Sequence, residues 1–201
     1  MPWLIPLGDY VYEMRRGSEL IGVEESRLET NKLSGRRVSV DGANVHRVTA
    51  IMDGQSQIER IESSYARGPF ARSVIYELSG ELLSGTLATM GSRDTVSTKL
   101  GRFREIDADL VLCKALIIGR ISARGLDRYT GRVAIIDSAT LVASSPKLTY
   151  FRHADSPRRW TVENLVGDRE QLEIDHHGRI IKRVDRLGVE TTLTHFREAS
   201  A

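Results

Sequence analysis

One interruption in an otherwise two-residue rhythm constrains this chain more than any other feature. Apolar and polar residues alternate in short runs from Asp9 to Phe196, as half-buried strands require, because successive side chains on a strand point to opposite faces. Between Glu105 and Ile121 the spacing changes. Ile106, Leu110, Cys113, Ile117 and Ile121 recur every three or four residues, and Leu112, Leu116 and Ile118 widen the stripe around almost the whole circumference. A helix that is apolar nearly all round belongs inside a protein. Asp107 and Asp109 near its start, with Lys114 and Arg120 later, suit the helix dipole. The pattern predicts a mainly β fold in a single domain, 1–201: a long curved antiparallel sheet, half-barrel or barrel, around one buried helix near residues 105–120.

The strand boundaries follow from turn chemistry. Tyr10, Tyr12 and Met14 share one face of an opening strand, and Gly17 in Arg15-Arg16-Gly17-Ser18 returns it as a hairpin. Asp41-Gly42, Asp53-Gly54, Arg67-Gly68-Pro69, Ser79-Gly80, Gly167-Asp168 and Leu187-Gly188 punctuate the rest. Runs such as Val45–Met52, Phe70–Leu78, Leu82–Met90, Tyr129–Asp137, Thr140–Ala143, Lys147–Phe151, Trp160–Val166 and Val189–Phe196 read as strands at the spacing of a sandwich, barrel or curved sheet. Thr30–Arg36 and Ser144–Pro146 read as loops.

Charge narrows the function classes. The 29 basic and 27 acidic residues give a net charge of +2. Residues 1–100 carry 12 basic and 13 acidic side chains and residues 101–201 carry 17 and 14, so the halves stand at −1 and +3 with no charged tail. Arg124–Arg132 and Arg152–Trp160 mix arginines with aromatics, a composition that suits single-stranded nucleic acid. Nearby acids dilute both segments and no nucleic-acid-binding motif is present, so no nucleic-acid partner is expected. The longest apolar run, Leu110–Ile118, is interrupted by Lys114 and is about half the length of a membrane span. Met1–Pro6 has no basic leader region, and the single cysteine, Cys113, excludes an internal disulfide, so the expectation is a cytoplasmic chain. Neither pattern nor composition sets an oligomeric state.

Three stretches resemble a group of poorly characterised bacterial β-rich half-barrel proteins of the lipoprotein-carrier and lipid-binding type. These are Tyr10-x-Tyr12 followed by Gly17-x-x-x-Ile21-Gly22, the central helix followed by Thr130-Gly131-Arg132, and Ile174-Asp175-x-x-Gly178-Arg179-Ile180 before a final strand. The resemblance implies a lipid-like ligand in the concavity of the sheet.

The residues themselves offer several site candidates. Arg72 alternates with Val74, Tyr76 and Leu78, so if that face points inward its fixed charge needs a carboxylate, a carbonyl cluster or an anionic ligand. Tyr12, Tyr76 and Trp160 offer cavity-lining area with one directional hydrogen bond each, or serve simply as core, and Asn164 lies two residues beyond Val162 on the Trp160 face. His195 shares a strand face with Val189, Thr191 and Leu193, as a core histidine or a proton-transfer group. Asp175-His176-His177-Gly178 reads as a hairpin turn or as part of a metal site, with the turn preferred. No phosphate loop, dinucleotide fingerprint, zinc helix or nucleophile elbow is present, so no metal and no cofactor are expected. The expected function is binding of an apolar or amphipathic small molecule, with Arg72, Tyr76, Tyr12, Trp160, Asn164 and His195 as ligand contacts. One alternative is a cofactor-independent isomerase, cyclase or hydrolase acting on an apolar substrate through His195 or Asp137. Another is a structural or interaction protein with a filled core.

Overall fold

A computed structural model describes residues 5–199, so part of the Met1–Pro6 leader reading lies outside the described residues. The sixteen strands among these residues are β1 (Gly8–Arg16), β2 (Glu19–Leu28), β3 (Lys32–Ser39), β4 (Asn44–Met52), β5 (Ile58–Arg67), β6 (Phe70–Ser79), β7 (Leu82–Thr89), β8 (Ser92–Lys99), β9 (Glu105–Asp107), β10 (Arg128–Ile136), β11 (Ala143–Ser144), β12 (Lys147–His153), β13 (Ser156–Asn164), β14 (Arg169–Ile174), β15 (Ile180–Val184) and β16 (Val189–Glu198). The helix α1 (Val111–Ala123) is the one helix among the described residues. All the strands join one curved sheet in the order β11-β10-β12-β13-β14-β15-β16-β1-β2-β3-β4-β5-β6-β7-β8, with β9 beside β10. The first and last strands of the chain therefore meet in the middle of the sheet, through the β1–β16 pairing.

The curved sheet is open rather than a closed barrel, because β8 and β11 end the strand order without pairing. Tyr76 on β6 ties the two flanks together: its hydroxyl donates to the Leu141 carbonyl at 3.0 Å and accepts from the Ala143 N–H at 2.9 Å. Alternation fills the inner face with Tyr10, Tyr12, Leu33, Val48, Ala50, Ile61, Val74, Tyr76, Leu83, Tyr150 and Trp160, all buried against α1 and its approaches. At Gly35 the sheet yields to the helix segment, since a Cβ there would sit 2.4 Å from a Leu110 methyl. That close approach requires the glycine.

The structure corrects several expectations. The helix begins at Val111, and Glu105–Asp107 is instead a strand, pairing parallel to β10 at Val133, Ala134 and Ile135. Asp107 and Asp109 therefore precede the helix, which has no acidic residue in its first turn. Its first free N–H, on Val111, is satisfied by the Glu24 carboxylate of β2 at 2.9 Å. Its C-terminus closes as a Schellman turn, with Gly125 (φ 70°) donating to Ser122 and Leu126 to Ile121. Thr30–Arg36 is no loop beyond Asn31, because β3 begins at Lys32 and pairs with both β2 and β4. Thr140 belongs to a turn and β11 is only Ala143–Ser144. The polar strand β8 had no apolar alternation to mark it.

Candidate functional site

The helix runs between two mouths of the half-barrel. One is framed by the end of β1, the start of β2, the end of β3 and the start of β4, where Met14 opposes Gly22, Gly22 opposes Ser39 and Arg37 opposes His46. The other is framed by Leu7, Leu28 and Met52 at the opposite ends of β1, β2 and β4. Val111 binds Glu24 near the first mouth, and Arg120 and Ala123 reach the second.

The first mouth is polar. Glu24, Asp107, Asp109 and Glu170 interlock there with Arg37, Lys114 and Arg183. Arg37 donates to Glu24 at 2.8 Å and to Asp109 at 2.8 Å, and Arg183 donates to Glu170 at 2.8 Å. Lys114 binds Asp107 and lies 3.4 Å from Glu170. Glu24, Asp107, Lys114 and Arg183 are buried, so this is a desolvated network in which each charge depends on its neighbours. Burial opposes the charged form of Asp109, but Arg37, Arg183 and Lys114 outweigh it and hold the carboxyl well below the usual carboxylate range. Burial likewise works against the charges of Arg37 and Lys114, and the facing carboxylates reverse that effect in both. Asp109 also adopts a left-handed backbone (φ 58°), uncommon outside glycine.

A hollow of about 160 Å³ opens beside this network, lined by Met14, Ile21, Val38, Arg37, Tyr65 and His46 among others. His46 Nε2 lies 2.9 Å from Ser63 Oγ, while its Nδ1 has no partner among the described residues. Burial, followed by the charge of Arg37, pushes the imidazole down to about 4, so it is neutral near pH 7.

The second mouth is apolar. A cleft of about 510 Å³ lies between the C-terminal half of α1 and the sheet. Ile5, Leu7, Leu28, Met52, Leu116 and Ala123 form much of its wall, and Glu29, Thr30, Gln55, Ser56 and Arg120 supply its polar positions. Arg120 binds the buried Glu105 and donates to the Ser56 carbonyl, which fixes it at the edge of the cleft.

The residues singled out from sequence are not gathered in either place. Tyr12, Tyr76 and Trp160 do point inward, onto separate parts of the buried face. The Tyr12 hydroxyl and Trp160 Nε1 have no hydrogen-bond partner among the described residues, and burial raises the Tyr12 pKa well above its ordinary value. Arg72 shares the parity of the buried Val74 and Tyr76, yet stands exposed, because the start of β6 extends past the core. Asn164 shapes the β13–β14 turn, its Oδ1 accepting from Val166 and Asp168 at 3.0 Å each. Asp137 is exposed and caps its own turn through Ala139 and Thr140. His195 faces outward, away from Val189, Thr191 and Leu193, because a bulge in the β1–β16 pairing reverses the parity of the strand. His195 and Asp137 therefore sit in separate environments. Asp175-His176-His177-Gly178 is a hairpin turn, with Asp175 Oδ1 accepting from His177 and Arg179 and Gly178 at φ 80°. Burial pushes the Cys113 thiol up to about 12, which leaves it unreactive.

Sequence reasoning missed Glu24, Arg37, His46, Lys114 and Arg183. A signal existed: Glu24 falls on the same strand parity as Gly22, Ser26 and Leu28, so a charge there faces inward and needs a partner.

No family model matches the chain, and no curated protein matches it. Among solved structures, it is similar to the crystal structure of a DUF1089 family protein from Pseudomonas aeruginosa, with a TM-score of 0.61 and 17% identity over 82% of this chain and 89% of that one. At that identity the likeness bears on the fold alone: a curved β-rich sheet around a helix is an arrangement the two proteins share.

Proposed function

We propose that the protein binds an apolar or amphipathic small molecule, with the apolar part lying in the cleft beside the C-terminal half of α1. The observation that carries this reading is the cleft itself, about 510 Å³ with largely aliphatic walls and a few polar groups at fixed positions. Small-molecule sites combine this size, concavity and polar sparsity. Its place between helix and sheet differs from the sheet concavity, which α1 fills. An amphipathic ligand would leave its polar end among Thr30, Gln55 and Arg120.

Native mass spectrometry of freshly purified protein tests the reading. A co-purified lipid-like mass, lost when Leu116→Trp fills the cleft, is the expected result. A clean apo mass, together with no thermal stabilisation by a panel of neutral and charged lipids, would overturn it. That outcome favours the second reading, an interaction protein, which rests on Tyr12, Tyr76 and Trp160 being packed against the core rather than lining open space.

A further inference from the structure

The outer face of the sheet carries a second feature, independent of the cleft inside. β16 pairs with β1 in register from Arg16–Val189 to Tyr12–Leu193, then slips, so that Val11 opposes His195 and Thr194 is the extra residue. Bulges of this kind re-aim side chains and are common beside functional sites. Here the slip turns Phe196 inward against Tyr10, ring centroids 4.8 Å apart, and turns His195 and Arg197 outward. Both line an open groove of about 560 Å³ across β16, β1, β2, β3 and β4.

The groove has a surplus of positive charge. Arg27, Arg36, Arg47 and Arg197 line it against only Asp9 and Glu25. Asp9 is engaged already, by Arg197 and by Arg27 at 3.6 Å. Arg36 and Arg47 stand directly opposite each other in the β3–β4 register, both exposed on the outer face, and although Glu25 opposes Arg36 from β2, neither arginine comes within ion-pairing distance of a carboxylate among the described residues. Like charges directly opposed across strands destabilise a sheet. An oxyanion seated between them removes that repulsion and meets the planar, bidentate geometry of guanidinium.

We propose that this groove is a binding site for a small phosphate-bearing molecule, with the phosphate held between Arg36 and Arg47. His195 supplies a further hydrogen-bonding group, and Val11 gives an organic substituent apolar surface to lie on. Asp9 and Glu25 inside the groove favour a discrete oxyanion over an extended anionic surface, because each would face a continuous sheet of negative charge with repulsion.

The test follows the arginine Nε–H signals of the full isotope-labelled chain during titration with inorganic phosphate and with phenyl phosphate, against sodium chloride at matched ionic strength. The expected result is saturable shifts at Arg36 and Arg47, with phenyl phosphate the tighter of the two. Arg47→Gln should weaken binding by about tenfold, as the loss of one charged contact implies, while leaving the melting temperature nearly unchanged. Shifts that never saturate, or that chloride reproduces, would overturn the proposal. So would phosphate binding that survives in both Arg36→Gln and Arg47→Gln. Arg47-dependent co-sedimentation with phosphatidylglycerol vesicles, without saturable phosphate shifts, would also overturn it and assign the groove to a lipid surface.

Discussion

The two mouths of the half-barrel are closed by opposite physics. At the start of α1, four carboxylates and three cations lock the helix to β2, β3, β14 and β15 through directional contacts that leave little room. At its far end, aliphatic side chains meet the helix loosely enough to leave a cleft of about 510 Å³. A desolvated ion network tolerates the loss of no single member, whereas a non-directional apolar wall relaxes around changes. The polar mouth therefore anchors the helix, and the apolar mouth is where the proposed ligand would enter.

The largest expected difference comes from Arg37→Met. It leaves the buried Glu24 without its cation and Asp109 with only Arg183, 3.9 Å away, and Lys114, and should cost about 3–5 kcal/mol of unfolding free energy in urea. A cost below 1 kcal/mol would mean that water already reaches the network and that the anchor is weaker than described.

Acid should sharpen the comparison next. The folded-state pKa of His46 is depressed from 6.5 to about 4, so the unfolded chain binds more protons between those values. The sign is then fixed: stability is unaffected by this group above pH 6.5 and falls as pH drops towards 4, by about 3 kcal/mol in all. His46→Asn should remove that slope in denaturation curves taken from pH 7 to 4. Asp109 acts lower on the scale. Its pKa is also depressed, so its stabilisation is intact above its ordinary value of 3.8 and is lost only as pH falls below that.

At the apolar mouth, Leu116→Ala should cost about 2 kcal/mol, the low end for a buried leucine, because one side already borders open space. Its cost should be the same at pH 7 and pH 5, in contrast to the changes at the other mouth. Smallest of all, Glu29→Gln removes an exposed pairing with Arg27 and should change stability by less than about 0.5 kcal/mol.

How much of this was legible depended on whether a feature was local. The three-and-four spacing from Leu110 to Ile121 identified α1, and Gly17, Gly42 and Gly80 marked real turns with positive φ. Glu105-Ile106-Asp107 was absorbed into the helix because three residues carry too short a period to distinguish strand from helix. Asp107 and Asp109 looked like helix-dipole partners, and only the tertiary structure reveals Lys114 and Arg37 as their counterions. Strict alternation placed His195 with Leu193, since nothing in Thr194-His195-Phe196 announces a bulge that depends on pairing with a strand 180 residues away. The buried charges were partly readable, because Glu24 alternates with Gly22, Ser26 and Leu28, but their partners come from β3, β14, β15 and α1 and no sequence pattern joins them.

The most direct test of the division between the mouths is a methyl-resolved titration of the full chain with 1-monolauroylglycerol, a neutral amphiphile that leaves the outer arginine groove unengaged. Saturable shifts at Leu28, Met52 and Leu116, with Met14, Ile21 and Val38 unmoved, are the predicted result. Shifts confined to Met14, Ile21 and Val38, or none at any of the six, would contradict it.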